Sequence, residues 1–285
     1  MNERDAQQGP RITPVPPPEK PRADVDSAAW WALPLPLSRR WMQPQAAPHL
    51  AAWADFSMAL AALEMAHEAP VEQRLAALDR LELALSGAFG PALAHPELRP
   101  AVVLRESLLN TGGSFQDALA LADACRDMIR QAVPNDMDGL RDHGARVGAP
   151  VLRHFLLLHG EQDAALLEQA DELARAWFML RLLAARQAGG HGHLPAVPGE
   201  AARQCLQRAR GAWRLSANGH ARAQLLRLEQ LARTLLPRVE RGKARLQRSG
   251  PAHALPPAEV LARALPLAAR ATIAWRAWRA RRAPA

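Results

Sequence analysis

Apolar residues recur at three- and four-residue intervals along almost the whole chain from residue 49 onwards. This spacing places them on one face of an α-helix and is typical of helices that pack against a core. Ala, Leu and Arg, which favour helix, dominate the composition, whereas β-branched and aromatic residues are scarce. The pattern predicts an all-α bundle of about eight or nine helices. The predicted segments are 49–68, 71–86, 97–110, 115–133, 137–159, 161–187, 199–217, 219–248 and 257–282.

Proline, glycine and capping residues separate these segments. Pro70 suits the first position of a helix, and Gly112-Gly113-Ser114 suits the end of one helix and the cap of the next. Asn135-Asp136, Gly189-Gly190 and Gly250-Pro251 interrupt the later segments. No repeat period is evident, so the sequence predicts a single bundle and not a solenoid.

The first 27 residues differ from the rest in composition. They are polar and rich in proline, with four prolines between residues 14 and 18. Segments of this kind bury too little apolar surface to fold, so 1–27 is predicted to be a disordered tail. Residues 28–48 are apolar but broken by prolines, and we expect them to pack on the domain as an irregular lead-in. The helical domain is therefore placed at 28–282.

The formal charge of +8 is unevenly distributed. Residues 201–285 hold 18 Lys or Arg and 3 acids, a charge of +15, whereas residues 1–200 hold 18 and 25, a charge of −7. A basic C-terminal third on a mildly acidic body is suited to an anionic lipid, a diphosphate or a nucleic acid.

The last predicted helix interleaves arginine with tryptophan. This composition suits an anionic membrane surface, and it equally suits a final bundle helix with a basic outer face. Nucleic acid is not expected as a partner, because the chain contains no recognised nucleic-acid-binding module. The residues concerned are Arg270, Trp275, Arg276, Trp278, Arg279, Arg281 and Arg282.

Cysteine usage and the absence of targeting segments predict a cytoplasmic protein. Cys125 and Cys205 are the only cysteines and have no metal-like spacing, so we expect reduced thiols. The N-terminus lacks the basic start and apolar run of a signal peptide. No apolar run approaches the roughly 20 residues that span a bilayer. The expected location is the cytoplasm, either free or peripheral to the inner membrane.

The stretch 124–161 contains short motifs in a recognisable order. Ala149-Pro150-Val151 is followed by Arg153, and the stretch closes with Leu158-His159-Gly160-Glu161. In these motifs the chain resembles the squalene/phytoene synthase family, most closely its bacterial hydroxysqualene-synthase branch. The resemblance extends over about 28–282, because other segments fall in the family's order. These are Leu37-Ser38-Arg39-Arg40, Glu72 to Asp79, and Gly192-His193-Leu194-Pro195.

The resemblance implies an isoprenoid-synthase-like bundle and a reaction that joins two farnesyl diphosphates. In the family, Mg²⁺ ions bridge each diphosphate to the carboxylates of two Asp-rich motifs on facing helices, which suits a cation that prefers oxygen ligands. The first motif would lie at 63–68, which reads Leu-Glu-Met-Ala-His-Glu. Glu64 and Glu68 remain there, four residues apart, as candidate ligands for Mg²⁺ and diphosphate. Glutamates at this spacing are also common on a solvated helix face.

The second motif would lie between 173 and 195, but residues 175–199 contain no Asp or Glu. Arg181 and Arg186 lie in this region instead. Together with Arg153 they are candidates to bind a diphosphate directly, without metal. The alternative is that they are exposed or pair with acids of neighbouring helices. The family's tyrosines are absent too, since the chain contains no tyrosine.

These losses lead to the hypothesis of a catalytically degenerate family member. It would support squalene, hopanoid or carotenoid metabolism by binding an isoprenoid diphosphate, an isoprenoid lipid or a protein partner. Two alternatives stay open. One is a divergent prenyl transferase that still condenses two farnesyl diphosphates with Glu64, Glu68 and arginines. The other is a non-enzymatic assembly or scaffold protein. No cofactor is expected, and Mg²⁺ only if activity remains.

Overall fold

The computed structural model describes residues 32–88, 95–187, 199–242 and 258–283. Within these ranges all regular structure is helical, which confirms the all-α prediction. The predicted tail 1–27 and the segment Gly192 to Pro195 lie outside the described residues. The longer helices are α1 (Ala47–Met65), α2 (Val71–Ser86), α3 (Arg99–Thr111), α4 (Phe115–Ile129), α5 (Met137–Leu158), α6 (Ala164–Gln187), α7 (Gly199–Arg208), α9 (Gly219–Glu240) and α11 (Leu267–Arg282). Between them lie the short helices α8 (Ala212–Leu215) and α10 (Ala258–Arg263), and single 3-10 turns at Arg39–Trp41, Pro44–Ala46 and Pro96–Leu98.

Two of the predicted helices are interrupted. The segment predicted at 199–217 divides at Gly211, whose φ of 84° lies in the left-handed region that glycine adopts readily. The segment predicted at 257–282 divides at Pro266, which immediately precedes α11 and has a ψ of 146°. A helix cannot run through either residue in these conformations, so α8 and α10 are separate short elements.

Side-chain caps fix the starts of four helices, and one of them is Asp163, which accepts a hydrogen bond from the Leu166 amide of α6 at 2.8 Å. Ser114, which the sequence predicts as a cap, accepts a hydrogen bond from the Asp117 amide of α4 at 3.2 Å. Asp136 and Asn218 accept hydrogen bonds from amides in the first turns of α5 and α9. These bonds satisfy amides that have no partner within their own helix.

The contact between α5 and α6 is the most extensive in the bundle. α4 packs on α5, and α6 packs on α7 and α9, so this pair connects the first helices to the last ones. α1, α2 and α3 pack on one another, and α11 lies along α9. The largest fully buried side chains come from α1, α5 and α6, and they are Trp53, Phe56, Phe155, Trp177 and Phe178.

The lead-in before α1 packs on the domain in its described part, as predicted. Leu33, Leu35 and Leu37 are buried. Between them, the carbonyl oxygen of Pro36 accepts a hydrogen bond from the guanidinium of Arg227 on α9. The lead-in is therefore held against α9 by both apolar and polar contacts.

Candidate functional site

The helix that carries Glu64 ends earlier than its sequence predicts. α1 stops at Met65, and residues 66–70 form turns that lead into α2. Proline disfavours a helical backbone at the preceding residue, so Pro70 prevents α1 from continuing into α2. Glu64 lies in the last turn of α1, whereas Glu68 lies exposed on the connection. The prediction that one helix runs over 49–68 and carries both glutamates is therefore wrong.

Glu64 faces arginines from two other helices. Arg74 of α2 donates a hydrogen bond to the Glu64 carbonyl oxygen at 3.3 Å. Burial raises the pKa of the Glu64 carboxyl, and the charges of Arg181 and Arg74 oppose this shift. Burial also lowers the pKa of Arg181 on α6 to about 10, and the charge of Glu64 opposes that shift. The structure thus brings Glu64, from the first motif position, within electrostatic range of Arg181, from the second.

Arg186 does not belong to this arrangement. Five residues along an α-helix correspond to a rotation of about 140°, so Arg181 and Arg186 leave α6 on different faces. Arg186 is exposed near the end of α6, whereas Arg181 is partly buried. The two arginines that the sequence offered together as diphosphate ligands therefore do not line one site.

Arg153 of α5 takes part in an ion-pair network. Its Nε donates to Asp171 of α6 at 2.9 Å, and its Nη2 donates to the other oxygen of the same carboxylate. Its Nη1 donates to Asp117 of α4 at 3.2 Å. The hydrogen bond to Asp171 raises the pKa of the guanidinium. Arg153 therefore joins three helices, and binding a diphosphate would require this network to break.

The donors near Glu64 do not fit a Mg²⁺ site. Mg²⁺ usually needs one or two carboxylates together with waters and substrate phosphates. Glu64 already lies within electrostatic range of Arg181 and Arg74, and their positive charges oppose the binding of a metal cation. Within the described ranges, no group of three or more His, Cys, Asp or Glu side chains is placed to hold a metal ion. The residues around Glu64 therefore support no metal-dependent step.

α1 also places polar side chains in the core that the sequence pattern did not single out. Trp53, Ser57 and Glu64 lie on one face of the helix, and Trp53 Nε1, Ser57 Oγ and Glu64 Oε1 are enclosed without a hydrogen-bond partner in the described residues. The ring of His154 on α5 lies 5.9 Å from that of Trp53. In the sequence, Ser57 follows Trp53 by four residues and Glu64 follows Ser57 by seven. This helical spacing was the signal that the three side chains share one face. The interior between α1 and α5 is therefore partly polar.

A groove of 590 Å³ lies between α1, α2 and α3. This volume is within the range of about 300–1,000 Å³ that small-molecule sites occupy. Most of its lining is apolar and includes Met58, Ala62 and Leu63 of α1, Leu81 of α2 and Val103 of α3. The charged residues in its lining are Asp55, Arg80, Glu97 and Arg99.

The groove and the Glu64–Arg181 pair lie on different sides of α1. Leu63 lines the groove, and successive residues of a helix point about 100° apart, which turns Glu64 away from it. One signal in the sequence anticipates the groove. α1 is apolar over more of its surface than a helix with a single buried face requires.

Comparison of the chain with family models, with curated proteins and with solved structures gives no match. The class of protein is therefore described from its fold and its site alone. In the described residues it is a helical bundle with a mainly apolar groove on one side of α1 and, on another side, Glu64 within electrostatic range of Arg181.

Proposed function

We propose that this chain is a catalytically degenerate relative of the squalene/phytoene synthases, with an isoprenoid-synthase-like bundle, and that it binds an isoprenoid diphosphate without converting it. The observation that carries the proposal is the groove between α1, α2 and α3, whose walls are mainly apolar and whose charged residues are Arg80 and Arg99 together with Asp55 and Glu97. A prenyl chain is bound by apolar side chains, and guanidinium groups bind phosphate oxygens in a bidentate manner. Its role would lie in squalene, hopanoid or carotenoid metabolism.

The Glu64–Arg181 pair supports the loss of catalysis. Departure of diphosphate in this family requires Mg²⁺ ions held by several carboxylates on two facing helices. In this chain, one partly buried glutamate faces a guanidinium whose charge opposes the binding of a metal cation. The same pairing argues against a divergent transferase that uses Glu64 and Glu68.

Titration calorimetry with farnesyl diphosphate tests the groove assignment. Ala77 lines the groove, whereas its neighbour Ala76 is exposed outside it, so the two positions form a matched pair on α2. We expect Ala77→Trp to fill the groove and weaken binding at least about tenfold, a loss of about 1.4 kcal/mol. Ala76→Trp should bind as the wild type does.

Two further ligands separate the contribution of the diphosphate group from that of the prenyl group. Farnesol and inorganic diphosphate should each bind more weakly than farnesyl diphosphate, because each lacks one half of the contacts. Equal affinity of the Ala77→Trp and Ala76→Trp proteins, with both folded by circular dichroism, would contradict the assignment of the ligand to the groove.

A further inference from the structure

α11 is a fixed part of the bundle. Its buried residues face α9, and they are Ile273, Ala277 and Ala280. Near its end, Arg281 contacts His220 at the start of α9 at 3.0 Å. Arg222 of α9 also donates to the carbonyl oxygen of Ala283 at 2.8 Å. α11 therefore has one face committed to packing, and its opposite face is available to solvent.

The solvent-exposed face of α11 carries large apolar side chains. Leu267, Trp275 and Trp278 are 74%, 54% and 38% exposed. At about 100° per residue, these three side chains and Ala271 fall within an arc of about 80° on the helix. We call these four residues the tryptophan stripe. Large apolar side chains that cluster on a surface in this way are typical of an interaction site.

Arginines surround the tryptophan stripe. α11 contains five arginines and no acidic residue. The guanidinium carbon of Arg279 lies 5.0 Å from the ring centroid of Trp275, and that of Arg282 lies 4.2 Å from that of Trp278. These cation–π contacts hold positive charge beside the exposed rings. The surface is therefore apolar along the tryptophan stripe and positively charged on either side of it.

The cationic surface continues onto the neighbouring helix. Arg276 donates to Gln230 of α9 at 3.2 Å. Gln230 lines a cleft of 430 Å³ between α8 and α9, together with Arg210, Trp213 and Arg214. The guanidinium carbon of Arg214 lies 5.2 Å from the ring centroid of Trp213. The pairing of arginine with tryptophan is thus repeated beside α11.

We propose that the tryptophan stripe of α11 docks on an anionic lipid bilayer, with the helix axis parallel to the membrane plane. Tryptophan rings favour the headgroup level, and arginines extend from an apolar surface to reach phosphates. α11 has 16 residues and a length of about 24 Å, which suits lying on a bilayer and not crossing it. Among the helices described, none is both long and apolar enough to cross a membrane.

Charge complementarity favours lipid over a protein partner. A protein would need carboxylates matched to arginines on both sides of the stripe, whereas an anionic bilayer presents phosphates along its whole length. The groove between α1, α2 and α3 takes no part in this surface. The inference therefore holds independently of the proposed isoprenoid binding.

Co-sedimentation of the full chain with lipid vesicles tests the proposal. We expect binding to vesicles of phosphatidylcholine with phosphatidylglycerol, and little binding to phosphatidylcholine alone. Replacing Trp275 and Trp278 by Ala should abolish most of the binding. Arg279→Gln with Arg282→Gln should weaken it by roughly tenfold or more, because each basic residue near an anionic surface contributes to the attraction. Leu109→Ala, at an exposed leucine of α3, is the matched control and should bind normally.

Three outcomes would overturn the proposal. They are no binding to anionic vesicles, equal binding by the doubly substituted tryptophan variant, and equal binding to neutral and anionic vesicles. A single-stranded oligonucleotide that binds in place of vesicles, and whose binding needs Trp275 and Trp278, would assign the surface to nucleic acid instead. Because the substituted side chains are exposed, circular dichroism should show unchanged helix content in every variant.

Discussion

At the scale of single residues, buried histidines couple stability to pH. Burial lowers the pKa of His154 to about 4, and the charge of His49 adds to this shift. Burial is also the main cause of the lowered pKa of His143, again about 4. A histidine in the unfolded chain takes up a proton near pH 6.5. Between about pH 6.5 and pH 4 the unfolded state therefore binds more protons than the folded state, so acid destabilises the fold.

This coupling predicts the effect of removing one ring. In the His154→Leu protein, the free energy of unfolding should fall less steeply below pH 6.5, by about 1.4 kcal/mol per pH unit relative to the wild type. Urea unfolding at pH 7, 6 and 5 measures the slope. Leu109→Ala, at an exposed leucine that carries no titrating group, is the control and should keep the wild-type slope. An unchanged slope in His154→Leu would show that this ring is not the titrating group.

At the scale of helices, the motif Leu158 to Glu161 has a structural role. The Glu161 carboxylate accepts hydrogen bonds from the Ser216 hydroxyl and from the Asn218 amide, the latter at 2.7 Å. The Asn218 side chain donates to the His159 carbonyl oxygen at 3.0 Å. The end of α5 therefore holds the start of α9, and the motif positions the second half of the bundle.

Asn218 combines this contact with the capping of α9. Asn218→Ala should lower the free energy of unfolding by about 1–2 kcal/mol, because it removes both the cap and the bond to His159. Ser114→Ala, which removes a single exposed cap bond, should cost less. Thermal unfolding of the two variants measures the difference. A loss in Asn218→Ala no larger than that in Ser114→Ala would contradict the double role.

The sequence predicts the helix bounds well where proline, glycine or a capping residue lies directly at the end of the helix. The segment predicted at 71–86 coincides with α2, and that at 137–159 ends one residue beyond α5. Local signals also place the caps, because Ser114 bonds within its own helix. The end of α1 at Met65 differs from the predicted bound of 68, because residues 66–70 form turns that the apolar spacing does not mark.

The site residues depended on packing that no local pattern contains. Arg153 meets Asp117 and Asp171 only because α4, α5 and α6 come together. The burial of Glu64 beside Arg181 likewise depends on the placement of α1 against the rest of the bundle. Arginine and glutamate on a helix surface look alike in sequence whether they bind a ligand or each other.

At the scale of the whole molecule, three features are separate in space. The groove lies on one side of α1, the Glu64–Arg181 pair lies on another, and the tryptophan stripe lies on α11. The proposed ligand binding, the proposed loss of catalysis and the proposed attachment to a membrane can therefore be tested independently. Of these, binding without conversion distinguishes a degenerate family member from an active transferase.

Equilibrium dialysis with radiolabelled farnesyl diphosphate, in the presence of Mg²⁺ and NADPH, measures both halves of this claim in one sample. We expect the wild-type protein to retain the label above the buffer level, the Ala77→Trp protein to retain little, and the label recovered from both to be unchanged farnesyl diphosphate. Recovery of squalene, hydroxysqualene or presqualene diphosphate would contradict the claim that the ligand is not converted. Equal concentrations of label in the protein and buffer compartments would contradict the claim that the wild-type protein binds it.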